Sequence, residues 1–320
     1  MAFRDLCSFH KQSNQYGLRS LTAGLTDSTF EPLAMPSESR SRSAAGAQAV
    51  RTTLRVANNS GIPIESIDLL YHPLACGVPC CIFEAPFGLA KPSSNWAALR
   101  CLSLSLTYHA RTDANPVLDC TNGEIVEHLA CESADSVTRR VQALVDFFSL
   151  MPDIEELNLH WYNTSLLLQP QPRSTSAEKH WLNQVLLAIS FHKLRHLVLR
   201  GLHVTQSSLE KLLTARFLQQ VHLEKIHLTG SLRPILDILT SKNTAISRFY
   251  LDDIYERRIV HFRIKGTPKY PYHGTVPGPS TVSREGEEVR LPLEYEVPGV
   301  KPLPSQELMD FLRRRREEFG

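Results

Sequence analysis

At 320 residues the chain is long enough for one large core or two domains, and its 42% hydrophobic and 21% charged residues are the proportions of an ordinary folded protein rather than a disordered one. A formal charge of +2 leaves no global field to recruit nucleic acid or an anionic membrane. The 7 cysteines are odd in number, and Phe3, Leu6 and Phe9 stand among polar residues instead of forming an export signal, so free thiols in the cytosol or nucleus are expected.

In chain order, Leu18-Arg19-Ser20-Leu21 reads as a short strand and Leu54-Arg55-Val56 as another. Between them, residues 36–49 are small and polar without an apolar period, which predicts a flexible loop. A recurring frame of apolar letters then begins: Ile64-x-x-Ile67-x-Leu69, Leu99-x-x-Leu102-x-Leu104-x-Leu106, Ile154-x-x-Leu157-x-Leu159, Leu194-x-x-Leu197-x-Leu199, Leu218-x-x-Val221-x-Leu223 and Ile246-x-x-Phe249-x-Leu251. Successive starts lie 35, 55, 40, 24 and 28 residues apart, so the early copies carry insertions and the late ones are regular.

The gaps between frames carry helical periods. Val137–Met151 places Val137, Val141, Leu144, Val145 and Phe148 on one side and stops at Pro152. His180–Phe191 is apolar nearly all round, which predicts burial, and its Val185–Phe191 run is too short to cross a bilayer. Ser208–Phe217 turns Leu209, Leu212 and Leu213 inward, and Ser231–Leu239 tolerates Pro234 in its first turn. After Tyr255 the pattern ends. Residues 266–304 hold eight of the 20 prolines, which predicts an extended tail with no helix longer than one turn, with Val289–Tyr295 as a short edge strand. Ser305–Phe319 reads as a closing helix with Leu308, Phe311 and Leu312 as its apolar patch.

One strand and one helix fit in each period, and neither buries its apolar side alone. The expected fold is therefore an α/β, leucine-rich-repeat-like solenoid with a parallel sheet on its concave face and irregular N-terminal repeats. The expected division is 1–50 N-terminal segment and loop, 51–255 repeat domain, 256–304 proline-rich tail and 305–320 helix.

Side chains alternate across a strand, so the residues between the buried letters face the concave surface. Stacking the four clearest strands gives three columns: Glu156, His196, Gln220 and Arg248; Asn158, Val198, His222 and Tyr250; His160, Arg200, Glu224 and Asp252. All but Val198 are polar or carry a polar group, as expected both of a solvated face and of one that binds a protein. Arg200 beside Glu224 reads as mutual neutralisation across one strand spacing. The three histidines His160, His196 and His222 lie diagonally on separate strands, an arrangement that does not favour a metal site.

These frames, irregular early and regular late, with a proline-rich tail and a basic helix, resemble the leucine-rich-repeat region of fungal F-box-like proteins over roughly Leu18–Tyr255. The resemblance implies that the repeats hold a ubiquitination substrate. In that family a preceding three-helix F-box docks a Skp-type adaptor of a cullin ligase. Here no Leu-Pro-x-Glu-like opening precedes the repeats, and only Phe3-Arg4-Asp5-Leu6-Cys7 is similar to the tail of such a motif.

Three other signals lead elsewhere and are weaker. His72, Cys76 and Cys80 are four apart with Cys81 adjacent, yet Pro73, Gly77 and Pro79 break the helix that would align them as zinc ligands. Arg313–Arg316 is offset by Glu307, Asp310, Glu317 and Glu318, as in a solvated helix with internal ion pairs. No phosphate loop, nucleophile elbow, zinc-protease helix or dinucleotide fingerprint occurs. The sequence thus points to a non-enzymatic protein-binding module without a cofactor and without a membrane or nucleic-acid partner. The alternative is a catalytic or accessory protein with its site in the insertions at 70–98 and 107–136.

Overall fold

The computed structural model describes residues 8–9, 18–23, 50, 52–58, 63–69, 77–80, 83, 94–107, 134–161, 176–270, 272 and 276–299. In chain order the elements are β1 (Ser8–Phe9), β2 (Leu18–Ala23), α1 (52–58), β3 (Ile64–Leu69), β4 (Val78–Pro79), β5 (Cys101–Thr107), α2 (Ala134–Ser149), β6 (Glu156–Trp161) and α3 (Ser176–Ala188). They continue with β7 (His196–Arg200), β8 (His203–Thr205), α4 (Gln206–Leu213), β9 (Gln220–Glu224), β10 (His227–Thr229), α5 (Arg233–Thr240), β11 (Arg248–Asp252), β12 (His261–Phe262), β13 (Thr281–Glu285) and β14 (Tyr295–Glu296).

The architecture is mixed α/β around a 10-stranded sheet in the order β1-β2-β3-β5-β6-β7-β9-β11-β13, with β4 beside β5. Strands β2 through β11 within it run parallel, while β1 and β13 close its two edges antiparallel. All six sequence frames form strands, because each places its inner letters at period two. In register these letters make two apolar ladders. One is Leu21-Ile67-Leu102-Leu157-Leu197-Val221-Phe249, and the other is Leu69-Leu104-Leu159-Leu199-Leu223-Leu251-Val282. Every residue of both ladders is buried. The first letter of each late frame, Ile154, Leu194, Leu218 or Ile246, is fully buried just before its strand.

The helices supply the other wall of the same core. Leu144, Phe147 and Phe148 of α2, Trp181, Leu182, Val185 and Leu186 of α3, Leu209, Leu212 and Leu213 of α4, and Ile235, Leu236 and Leu239 of α5 all join it. The inward face of α2 is centred on Phe147, which the sequence reading omitted, because aromatic contacts draw it between Phe83 (4.9 Å), Trp96 (6.1 Å) and Phe148 (5.9 Å). In α3, Leu187 is 46% exposed, so the apolar circumference is not wholly covered. Helix α4 begins two residues before the expected Ser208, since Thr205 is the cap and its side chain accepts from Ser208 N.

Strands β7, β9 and β11 are each followed directly by a residue with positive φ: Gly201 (69°), Lys225 (52°) and Asp253 (50°). This left-handed turn redirects the chain into β8, β10 and Tyr255, which pair parallel as a second small ribbon. Only at Gly201 is a side chain also excluded by space, because a Cβ there would lie 2.8 Å from the Trp161 carbonyl oxygen.

Three expectations are corrected. Leu54-Arg55-Val56 is helical: Val50, Leu54 and Asn58 share a buried face at i, i+4 spacing, and Asn58 Oδ1 accepts from Trp96 Nε1 at 3.0 Å. The alternation of three residues was too short a window to reveal that period. The tail strand that joins the main sheet is Thr281–Glu285, and the expected Val289–Tyr295 is strand only at its end, where Tyr295–Glu296 pairs with β12. Pro292 interrupts the expected segment, and Val282 continues the second ladder; Val289 sits in a 3-10 helix over Gly286–Arg290, whose five residues exceed the single turn expected of the tail. The closing helix expected at Ser305–Phe319 lies outside the described residues. Among the described residues, no helix is long and apolar enough to cross a membrane.

Candidate functional site

The side of the sheet opposite the core carries the polar residues between the ladder letters, and strand register gathers them into three rungs. The first runs Ser66-Cys101-Glu156-His196-Gln220-Arg248-Glu285. The second is Asp68-Ser103-Asn158-Val198-His222-Tyr250-Ser283, and the third is Ser105-His160-Arg200-Glu224-Asp252-Thr281. The structure therefore aligns Glu156, His196, Gln220 and Arg248, then Asn158, Val198, His222 and Tyr250, then His160, Arg200, Glu224 and Asp252. Each set is a straight row across neighbouring strands.

The first rung carries two acid–base pairs among uncharged residues. His196 Nδ1 lies 3.1 Å from Glu156 Oε1, and Arg248 Nε lies 3.9 Å from Glu285 Oε2. Just before the strands, Glu155 is shared by Arg100 and by Arg195, the latter at 3.6 Å. Burial and then Glu156 push the Cys101 thiol up to about 11, so it is protonated and unreactive at neutral pH.

The middle rung is different from Ser103 onward. Asn158 Nδ2 donates to Ser103 Oγ at 2.9 Å, Val198 is apolar, and the rings of His222 and Tyr250 touch with centroids 4.5 Å apart. From Ser103 to Ser283 it holds no Asp, Glu, Lys or Arg, and its members are half-buried or exposed. It forms an amphipathic strip between two rows of charge.

The third rung closes off at the strand ends. Glu224 and Asp252 were expected on a solvated face, but they are buried at 5% and 3% exposure. The physical reason is that neighbours cover and neutralise them. Arg200 Nε and His222 Nε2 lie 3.1 and 3.4 Å from Glu224 Oε2. Thr281 Oγ1 donates to Asp252 Oδ1 at 2.7 Å, and Lys269 from the tail ion-pairs with the same oxygen. Burial by itself would raise the Glu224 carboxyl, yet the His222 contact, Arg200 and Lys225 outweigh it and bring it down to about 2. His160 is lowered to about 4 by burial, then by Arg200 and Lys225. Its Nδ1 lies 3.3 Å from Ser105 Oγ, but Ser105 is 1% exposed, so this pair has no open nucleophile to offer a substrate.

The same alternation that found the columns would have found Ser103 and Ser105 within Leu102-x-Leu104-x-Leu106. Lys269 and Thr281 carried no sequence signal, because they reach the rung only when the tail folds back. The diagonal histidines are not gathered, and among the described residues no group of three or more His, Cys, Asp or Glu is placed to hold a metal ion. Of the candidate zinc ligands, Cys80 is fully buried, whereas His72, Cys76 and Cys81 lie outside the described residues. Most of the two insertions also lies outside them.

No protein-family model matches this chain, and no curated protein or solved structure matches it.

Proposed function

We propose that the chain is a repeat-built binding module that takes a protein partner on the open face of its sheet. The observation that carries this reading is the middle rung: Val198, His222 and Tyr250 form a strip without Asp, Glu, Lys or Arg, bordered by the Glu156–His196 and Arg248–Glu285 pairs on one side and by Arg200–Glu224 on the other. Protein interfaces favour this arrangement of an aromatic, charge-depleted centre within a polar rim.

The strand order supports a stacked, solenoid-like reading of the repeats. Sequence neighbours pair in sequence order from β3 to β11 without a switch point, while helices and inward ladder letters share one core. A parallel sheet is ordinarily covered on both faces. Among the described residues the first and middle rungs stay half-buried or exposed, and a polar face of that kind is suited to docking. Under the resemblance to F-box-like repeat proteins, the partner would be a ubiquitination substrate, with a Skp-type adaptor engaging a different part of the chain.

The test is affinity capture from native cells with the whole chain, comparing wild type with Tyr250→Ala and Arg248→Glu. Partners retained by wild type and by Phe217→Ser, but lost from both face variants, would support the face. Capture of adaptor and cullin would support the ligase reading. An identical set of partners on wild type and both face variants would overturn the open-face assignment.

A further inference from the structure

Away from the open face, α3 and α4 end beside one another and their following turns lead into β7 and β9. A cavity of about 370 Å³ opens there, within the size range of small-ligand sites. Its apolar lining is Ile189, Phe191, Leu194, Leu212, Ala215 and Phe217, and Ser190, His192 and Thr214 add neutral polar groups. The first four apolar residues are buried, whereas Phe217 is 45% exposed at the mouth.

The charged groups around this cavity are of one sign. Lys211 and Arg216 line it, and no carboxylate does. Lys211 Nζ donates to the Leu187 carbonyl and, at 2.6 Å, to the Ile189 carbonyl, which fixes it at the C-terminal end of α3 and leaves its third N–H for another acceptor. Arg216 lies over the Phe217 ring, 5.3 Å from its centroid, and among the described residues no carboxylate pairs with it. In this Arg216 differs from Arg100, Arg195, Arg200, Arg233, Arg248 and Arg263, each within ion-pair distance of a Glu or Asp, and is like Arg258, Arg284 and Arg290, which donate to backbone carbonyls instead.

We propose that this cavity binds a small amphiphilic carboxylate. The apolar chain or ring occupies the space over Ile189, Phe191 and Leu212 and against Phe217, and the carboxylate meets the Arg216 guanidinium and the remaining Lys211 N–H. A half-open groove with apolar and polar walls and a cationic, acid-free mouth favours that combination: a neutral chain forms no ion pair with Arg216, and a cationic one is repelled.

The test titrates decanoate, decan-1-ol and decyltrimethylammonium, each below the concentration at which it forms micelles, into the full chain. The readout is the methyl NMR signals of Ile189, Leu194 and Leu212. Decanoate is expected to give saturable shifts and to lose at least about tenfold in affinity in Arg216→Glu, an exposed change that leaves the melting temperature in place. Decan-1-ol is expected to bind about tenfold more weakly than decanoate, and the quaternary amine not to saturate. Ala215→Leu, which narrows the chamber, should weaken decanoate while Arg216 remains.

Absence of saturable shifts, or equal decanoate affinity in wild type and Arg216→Glu, would overturn the proposal. An acetylated Glu-Phe-Glu-Leu peptide serves as a further arm. Its saturation at lower concentration than decanoate would replace the small-ligand assignment with an acidic peptide.

Discussion

The stretch from His196 to Asp252 and the stretch from Ile254 to Gly299 cover neighbouring parts of one core by different means. The first is held by repetition: Leu197, Val221 and Phe249 stack in one ladder, Leu199, Leu223 and Leu251 in another, and every strand meets the next in the same register. The second has little such repetition and is held by individual polar clasps. Arg290 donates to the carbonyls of Ser241, Thr244 and Ile246, the last at 2.7 Å, and so satisfies the chain leaving α5. Glu256 accepts from Leu232 N and from Tyr295 OH, both at 2.6 Å. Ser280 Oγ donates to Asp253 Oδ1 at 2.9 Å, while the Gly278 carbonyl takes the Nδ1 proton of buried His261. Gly278 also passes so close to the Phe262 carbonyl that a Cβ would lie 2.0 Å from it. A ladder spreads its stabilisation over many equivalent contacts, whereas a clasp concentrates it in one side chain.

The largest effect is expected where the ladder is cut. Leu199→Ala removes a fully buried side chain from the second ladder and should cost about 2–5 kcal/mol in denaturant unfolding. A loss under about 1 kcal/mol would show that the ladder is not the main support of this half.

Next comes the clasp. Arg290→Ala should cost about 1–3 kcal/mol, because it leaves several carbonyls without their donor. It should also open residues 256–299 to limited proteolysis before 195–252. Simultaneous cleavage of both regions would mean that the tail and the repeats unfold together as one unit.

The third rung joins the two regions and should give the molecule a pH signature. The His160 value of about 4 lies below the ordinary histidine value of 6.5, so between these limits the unfolded chain takes up the proton first and stability falls as pH falls. Glu224, held at about 2 against an ordinary 4.5, contributes stability that is present above pH 4.5 and lost as pH falls towards 2. His160→Gln should flatten the stability profile between about pH 6.5 and 4 by on the order of 2 kcal/mol, leaving the more acidic fall in place. An unchanged profile would mean that His160 is not shielded by the rung.

The smallest effect on stability is expected on the middle rung. Tyr250→Ala should cost no more than about 1 kcal/mol because the side chain is only half-buried, yet lower partner affinity at least about tenfold. Arg248→Glu should behave likewise, since Arg248 is exposed. Arg200 makes a poor binding probe, because reversing it would strand the buried carboxylate of Glu224.

The frames gave six strands, the register of the last four and most letters of the two buried ladders, because period-two alternation is a local property that survives in any α/β stack. They also placed the three columns, since alternation that buries Leu197 and Leu199 must turn His196, Val198 and Arg200 the other way. Only the tertiary structure decided which polar positions stay wet. Asp252 and Tyr250 are two residues apart on one strand, but Lys269 and Thr281 come from a returning segment to cover the first and leave the second partly open. The edge strand at Thr281–Glu285 and the helix at 52–58 depended in the same way on partners far along the chain, Val282 on Leu251 and Asn58 on Trp96. The cavity between α3 and α4 also belongs to assembly: its apolar walls read as ordinary core letters, and its single-sign mouth forms only when Lys211 and Arg216 are brought beside Phe191.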